Sequence, residues 1–142
     1  MNHQRRFDGF AQTYFIGHES ARIFLFEMLQ AGVAVMTMPD LNTFHIKRSR
    51  YPVHYAHLLH SMVSTHMIYR EGAFDHFDSI LCCGPHHVAE PREWEQLQNL
   101  RPKKLFEHGY GPLDTLMDEA ARRPPPAPLK GGGRKVLLAP SW

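Results

Sequence analysis

The sequence has little cysteine. Cys82 and Cys83, its only two, are adjacent within an apolar run, where strand neighbours point to opposite faces and do not readily bridge each other. That excludes a disulfide framework and favours a reducing compartment. Long hydrophobic runs are missing too: no apolar stretch approaches the roughly 20 residues that span a bilayer. Met1 to Arg6 is basic but has no apolar segment behind it, so no secretory signal peptide is expected. Charge of one sign is scarce. Sixteen Lys and Arg against fourteen Asp and Glu leave +2, which argues against a polybasic nucleic-acid coat and against nucleic acid as a partner. There is no Gly-x-Ser-x-Gly elbow and no P-loop, so hydrolase and ATPase readings lack a motif. No internal repeat is present.

What is there is a chain of 142 residues, 43% hydrophobic and 21% charged. This suits globular structure of about one domain. The 11 His residues titrate near neutrality and make the charge depend on pH. Apolar spacing from Gly17 to Gln30 predicts a helix closed by Gly32. Strands are expected at Val33–Met36, Val53–Leu59, Ser79–Cys83 and Lys104–His108, each ended by a breaker or polar residue. Between them, Ser61–Arg70 reads as a loop entering a short helix. His86–Leu97 reads as a helix flawed by Pro91, and Asp114–Ala121 as another helix. Residues 123–134 form a Pro/Gly linker, and Val136–Ala139 reads as a last strand. Apolar strands alternating with helices predict an α/β fold, a Rossmann-like parallel sheet covered on both faces. The partnerless aromatics of Arg5–Phe15 and the strand beyond the linker suggest part of a longer two-domain protein.

Ligands of open α/β sheets bind beyond the carboxyl ends of the strands. The residues expected there are Thr37 and Asp40, then His60, Ser61, Ser64, Thr65 and His66, then Gly84, His86 and His87, then Gly109, Tyr110 and Asp114. Histidines and hydroxyls with glycines between them suit proton transfer and phosphate binding, although any α/β domain carries polar strand-to-helix loops. His54, His57 and His60 would align on a helix. On the strand expected here His57 faces away from the other two, so no zinc site is expected. His86 and His87 do not share a helix face either. Gly131-Gly132-Gly133-Arg134-Lys135 precedes a strand rather than a helix, and reads as linker instead of phosphate cradle.

Four segments, in order, resemble the CDP-glycerol glycerophosphotransferase family, which builds teichoic-acid-like surface polymers. They are Leu59-His60-Ser61, Phe77-Asp78 with the strand to Gly84, Glu107 to Leu116 with its Gly-Tyr turn and Asp114, and Lys135 to Trp142 with Leu-Ala-Pro-Ser-Trp. Ser61 stands where the family has glycine, and Gly111 where it has proline. The resemblance spans about residues 53–142. It implies the incomplete N-terminal, acceptor-side half of a two-domain GT-B-type fold: residues 1–122 as the acceptor-side domain, 123–134 as linker and 135–142 as the first strand of a donor-binding domain. On this resemblance His60 is the catalytic base, taking the proton of an acceptor hydroxyl that attacks the donor's β-phosphorus in line. Ser61, Ser64, His66, Gly84, His86, Gly109, Tyr110 and Asp114 would bind substrate, and Arg48 and Arg70 would be charge partners. The implied partners are CDP-glycerol or another nucleotide-activated donor, held by the second domain, and a polymer or lipid-linked acceptor. Neither a cofactor nor a metal ion is expected. The expected location is the cytoplasm, or the inner face of the cell membrane as a peripheral protein. A nucleotide-sugar glycosyltransferase or epimerase on the same rim, and a non-catalytic interaction domain, are the competing readings.

Overall fold

The computed structural model describes residues 11–12, 14–17, 19–124 and 136–139. They fall into two compact units divided between Tyr110 and Gly111. In chain order the first holds α1 (Glu19–Glu27), β1 (Val33–Met36), β2 (His54–Leu58), α2 (Thr65–Ile68), β3 (Ser79–Cys82), α3 (His86–Leu97) and β4 (Lys104–Glu107). The second holds α4 (Gly111–Arg122). The four strands form one sheet in the order β1-β2-β3-β4, parallel throughout. This is the Rossmann-like α/β arrangement expected from the alternation of elements.

Each strand adjoins the next in sequence, so crossovers of one hand lie on one face of the sheet. Register confirms the division into faces. Met36, His57, Ile80 and Leu105 are cross-strand neighbours on the covered face. There Tyr55, His57, Ile80 and Cys82 are essentially inaccessible. On the opposite face Val33, Val35 and Phe106 are 57%, 59% and 51% exposed. Coverage of both faces is therefore not realised among the described residues. No helix intervenes between β1 and β2, and handedness sends the remaining connections to the same side.

The core has two parts. Met36, Leu41, Val53, Tyr55 and Phe77 pack with Phe26, Leu29 and Ile46. Leu59, Ile80 and Cys82 pack with Tyr69, Val88 and Leu105. The entry edge of the sheet is stapled by Arg48, which lies on a loop. Its Nη2 reaches Asp78 Oδ2 at 2.9 Å and the Val53 carbonyl at 3.3 Å, its Nη1 reaches the His76 carbonyl, and its guanidinium lies 4.7 Å from the Tyr55 ring centroid. Asp78 also accepts the Tyr55 N–H at 2.7 Å. Burial works against the Asp78 anion, but these donors outweigh it and its carboxyl titrates below the ordinary value. Arg48 thus sits at the strand beginnings, away from the rim where it was expected to balance substrate charge.

Several elements end where tertiary bonds intervene. α1 ends at Glu27, short of Gln30, where Glu27 O accepts Arg50 N at 3.1 Å and Ser49 Oγ at 3.3 Å. Ser49 Oγ also donates to Leu29 O, just beyond the helix, at 2.7 Å. α3 runs straight through Pro91. A proline leaves the carbonyl four residues earlier without its helical donor. That carbonyl, His87 O, instead accepts the Cys82 thiol at 3.2 Å. Burial pushes the Cys82 thiol up to about 11, so it stays protonated and able to donate.

In the second unit α4 has no buried residue. Leu113, Leu116 and Met117 lie on its surface, and Asp114 stands in its first turn. Val136–Ala139 form no strand, contrary to expectation. Val136, Leu137 and Leu138 are at least 79% exposed, and no strand pairs with them among the described residues. Residues 125–134 of the expected linker, and Lys135 and Pro140 to Trp142 of the last motif, lie outside the described residues.

Candidate functional site

The loop after β2, residues 59–64, is bolted to the turn before α3 and to its start. Cys83 Sγ donates to the Leu59 carbonyl at 3.2 Å. His86 Nε2 lies 3.0 Å from Met62 O, and His87 Nε2 lies 2.9 Å from Val63 O. His87 Nδ1 accepts the Cys83 N–H at 3.3 Å. Its other nitrogen must therefore carry the proton given to Val63. The two histidines expected on the rim act here as struts between two loops.

Glu90, one turn further along α3, completes the bolt. Its carboxylate accepts Ser64 Oγ, the Thr65 N–H at 2.7 Å and Thr65 Oγ1. A side chain from another helix thereby caps α2, whose own N-cap residue, Ser64, makes no capping bond. Burial would raise the Glu90 pKa, but the bonds from Ser64 and Thr65, with His66 nearby, lower it. His66 Nδ1 is 2.9 Å from Ser64 Oγ. Because Ser64 donates to Glu90, its oxygen accepts from the exposed His66 ring, whose Nε2 also lies 3.5 Å from it.

The other rim residues divide by how they are engaged. His60, separated from the β2 end at Leu58 by Leu59, is exposed and makes no hydrogen bond among the described residues. Ser61 beside it is half-buried. Gly84 begins the β3–α3 turn, where an added Cβ would sit 3.4 Å from the His86 ring. Gly109 follows β4 with φ +77°, a left-handed conformation that favours glycine. Tyr110 is half-buried at the end of the first unit. Parallel register places the ends of β2, β3 and β4 side by side: Leu59 N bonds Leu81 O, and His108 N bonds Cys82 O. His60, Gly84 and Gly109 therefore share one rim. Asp114 belongs to the second unit. Arg70 is paired with Asp40 at 2.6 Å.

Beneath the rim, His57 is fully buried on β2. The rings of Phe74, Phe77 and Tyr69 lie 4.8, 5.0 and 6.4 Å away, and neither imidazole nitrogen has a hydrogen-bond partner. Burial lowers its pKa to about 4, with a like-charge push from His60 and a smaller opposite pull from the Met38 backbone. Among the described residues no group of three or more His, Cys, Asp or Glu is placed to hold a metal ion. No helix among them is long and apolar enough to cross a membrane.

A cleft of about 400 Å³ opens between residues 65–75 and α3. Of the rim residues named from the sequence, only Thr65 and His66 line it; Tyr69, Phe74, Asp75, Glu90, Trp94 and Lys103 do so as well. The readable signal for it was the spacing of Glu90, Trp94 and Leu97, which puts a carboxylate, an indole and an aliphatic chain on one face of α3. Comparison with protein-family profiles, curated proteins and solved structures finds no match to this chain.

Proposed function

We propose that this chain supplies the acceptor-side domain of a CDP-glycerol glycerophosphotransferase acting in surface-polymer synthesis, with His60 as the general base. The observation that carries the reading is the isolation of His60 on a braced rim. The histidines around it are engaged elsewhere: His54 with Ser79 Oγ at 2.9 Å, His57 inside the core, and His86 and His87 on loop carbonyls. Among the described residues His60 and His108 both stand just past strand ends with exposed rings that make no hydrogen bond, and His60 is the one carried on the loop that α3 braces. The loop behind it is held by α3, so a hydroxyl placed there would meet an exposed imidazole on rigid support. Ser61, Gly84, Gly109 and Tyr110 line the same rim and would place the acceptor. Ser64 contributes from the braced loop and His66 from α2. The in-line attack on phosphorus then depends on a donor held opposite this rim by a second domain.

The test is His60→Ala and His60→Gln in the full-length protein carrying this chain, with turnover of CDP-glycerol and thermal melting measured on the same samples. Turnover falls about 10²–10⁴-fold, while melting stays unchanged because the side chain is exposed and unbonded. Near-normal turnover in a folded variant removes His60 from the chemistry.

A further inference from the structure

We propose that the cleft between residues 65–75 and α3 binds an organic cation through a quaternary or N-methylated ammonium group, a property separate from the transferase reading. Its inner wall is an aromatic corner: the Tyr69 and Phe74 rings stand at 70° with centroids 4.9 Å apart. Trp94 joins them from α3. The indole N–H of Trp94 already donates to Asp75 Oδ1 at 3.1 Å, so what Trp94 offers a ligand is its ring. Aromatic faces attract cations through their quadrupole, and most strongly those that shed water easily.

The charges lining the cleft point the same way. Both of its permanent cations are engaged with carboxylates: Arg70 lies 2.6 Å from Asp40, and Lys103, 6% exposed at its side chain, lies 4.0 Å from Glu95. Glu90 is engaged by Ser64 and Thr65, and Asp75 by Trp94. Glu71 and Glu93 remain, exposed and without an ion pair among the described residues. The uncompensated field is therefore negative, which repels phosphates and nucleotides and favours a cation. A volume of about 400 Å³ is within the range of small-molecule sites, roughly 300–1,000 Å³. It leaves room for a ligand larger than the ammonium head alone.

The experiment uses the whole chain with Trp142→Phe, which leaves Trp94 as the only tryptophan. Choline is titrated against Trp94 fluorescence, beside its uncharged isostere in which a quaternary carbon replaces the nitrogen. Choline gives a saturable change with Kd on the order of 1 mM, as suits so small a probe. The isostere binds about tenfold more weakly. Glu71→Gln with Glu93→Gln weakens choline binding by a similar factor at unchanged melting temperature, and inorganic phosphate does not compete. A flat titration overturns the proposal, as does an isostere that binds as tightly as choline or a double variant that binds it undiminished. None of these measurements involves donor or acceptor turnover, so their failure is distinct from failure of the transferase reading.

Discussion

His57 is a polar ring in an apolar place. It has Phe74, Phe77 and Tyr69 around it and no hydrogen-bond partner. Folding therefore requires it to be neutral. Its pKa is about 4 in the folded chain against an ordinary 6.5, so the unfolded chain binds the proton first as pH falls. Stability is undiminished above about pH 6.5, declines through the window down to about 4, and levels off below it. A shift of this size corresponds to about 3 kcal/mol. Urea denaturation from pH 7 to pH 4 should show that loss. His57→Phe, which fills the same aromatic setting without a titrating group, should remove most of the pH dependence in the same window. An unaltered profile in that variant would assign the acid sensitivity to other groups.

At the scale of elements, a single carboxylate organises α2 and the loop before it. α2 has four residues, too few to be stable by its own hydrogen bonds. Glu90 supplies three acceptor contacts to its first turn, two of them to Ser64 and Thr65 hydroxyls. Glu90→Ala leaves those donors without a partner, and its expected cost is about 2–4 kcal/mol. Hydrogen exchange should quicken at residues 64–68 more than in the sheet, and Glu90→Gln should recover part of the protection. Cys82 and Pro91 form a second coupling between elements. Cys82→Ala removes the donor to His87 O and should destabilise the chain by about 1–2 kcal/mol through the lost bond and packing, measured by denaturant midpoint. Protection unchanged in Glu90→Ala would show that the α2 loop stands without its brace.

Over the whole molecule, apolar surface remains uncovered in both units. Val33, Val35 and Phe106 on one sheet face, and Val136 to Leu138 in the second unit, are all more than half exposed. A net charge of +2 supplies little repulsion between copies at neutral pH. The 142-residue chain on its own is therefore expected to self-associate as concentration rises. Light scattering should fall with Val35→Thr plus Phe106→Thr, and fall separately on removal of residues 124–142, with circular dichroism of the sheet unit retained. Scattering unaffected by either change would place the association elsewhere.

Local pattern alone determined the order and type of the main elements. Val33-Ala34-Val35-Met36 is a strand because four apolar residues lie between breakers, and His86–Leu97 is a helix over the expected span. The polar character of the strand ends, and hence the rim with His60, Gly84 and Gly109, followed from the same pattern. The tertiary structure decided which polar groups are free. His57, His60 and His87 are alike in sequence terms, yet one is buried without a partner, one is exposed and one is a strut. Burial and partners depend on chain segments about 20 to 30 residues away, such as the Glu90–Ser64 and Arg48–Asp78 pairs, and no periodicity encodes those distances. The same reason kept the cleft hidden. Its walls come from residues 65–75 and α3, and only their packing makes a cavity between them. The apolar tetrapeptide Val136–Ala139 shows the converse: a strand-type pattern is not a strand where, among the described residues, no other strand pairs with it.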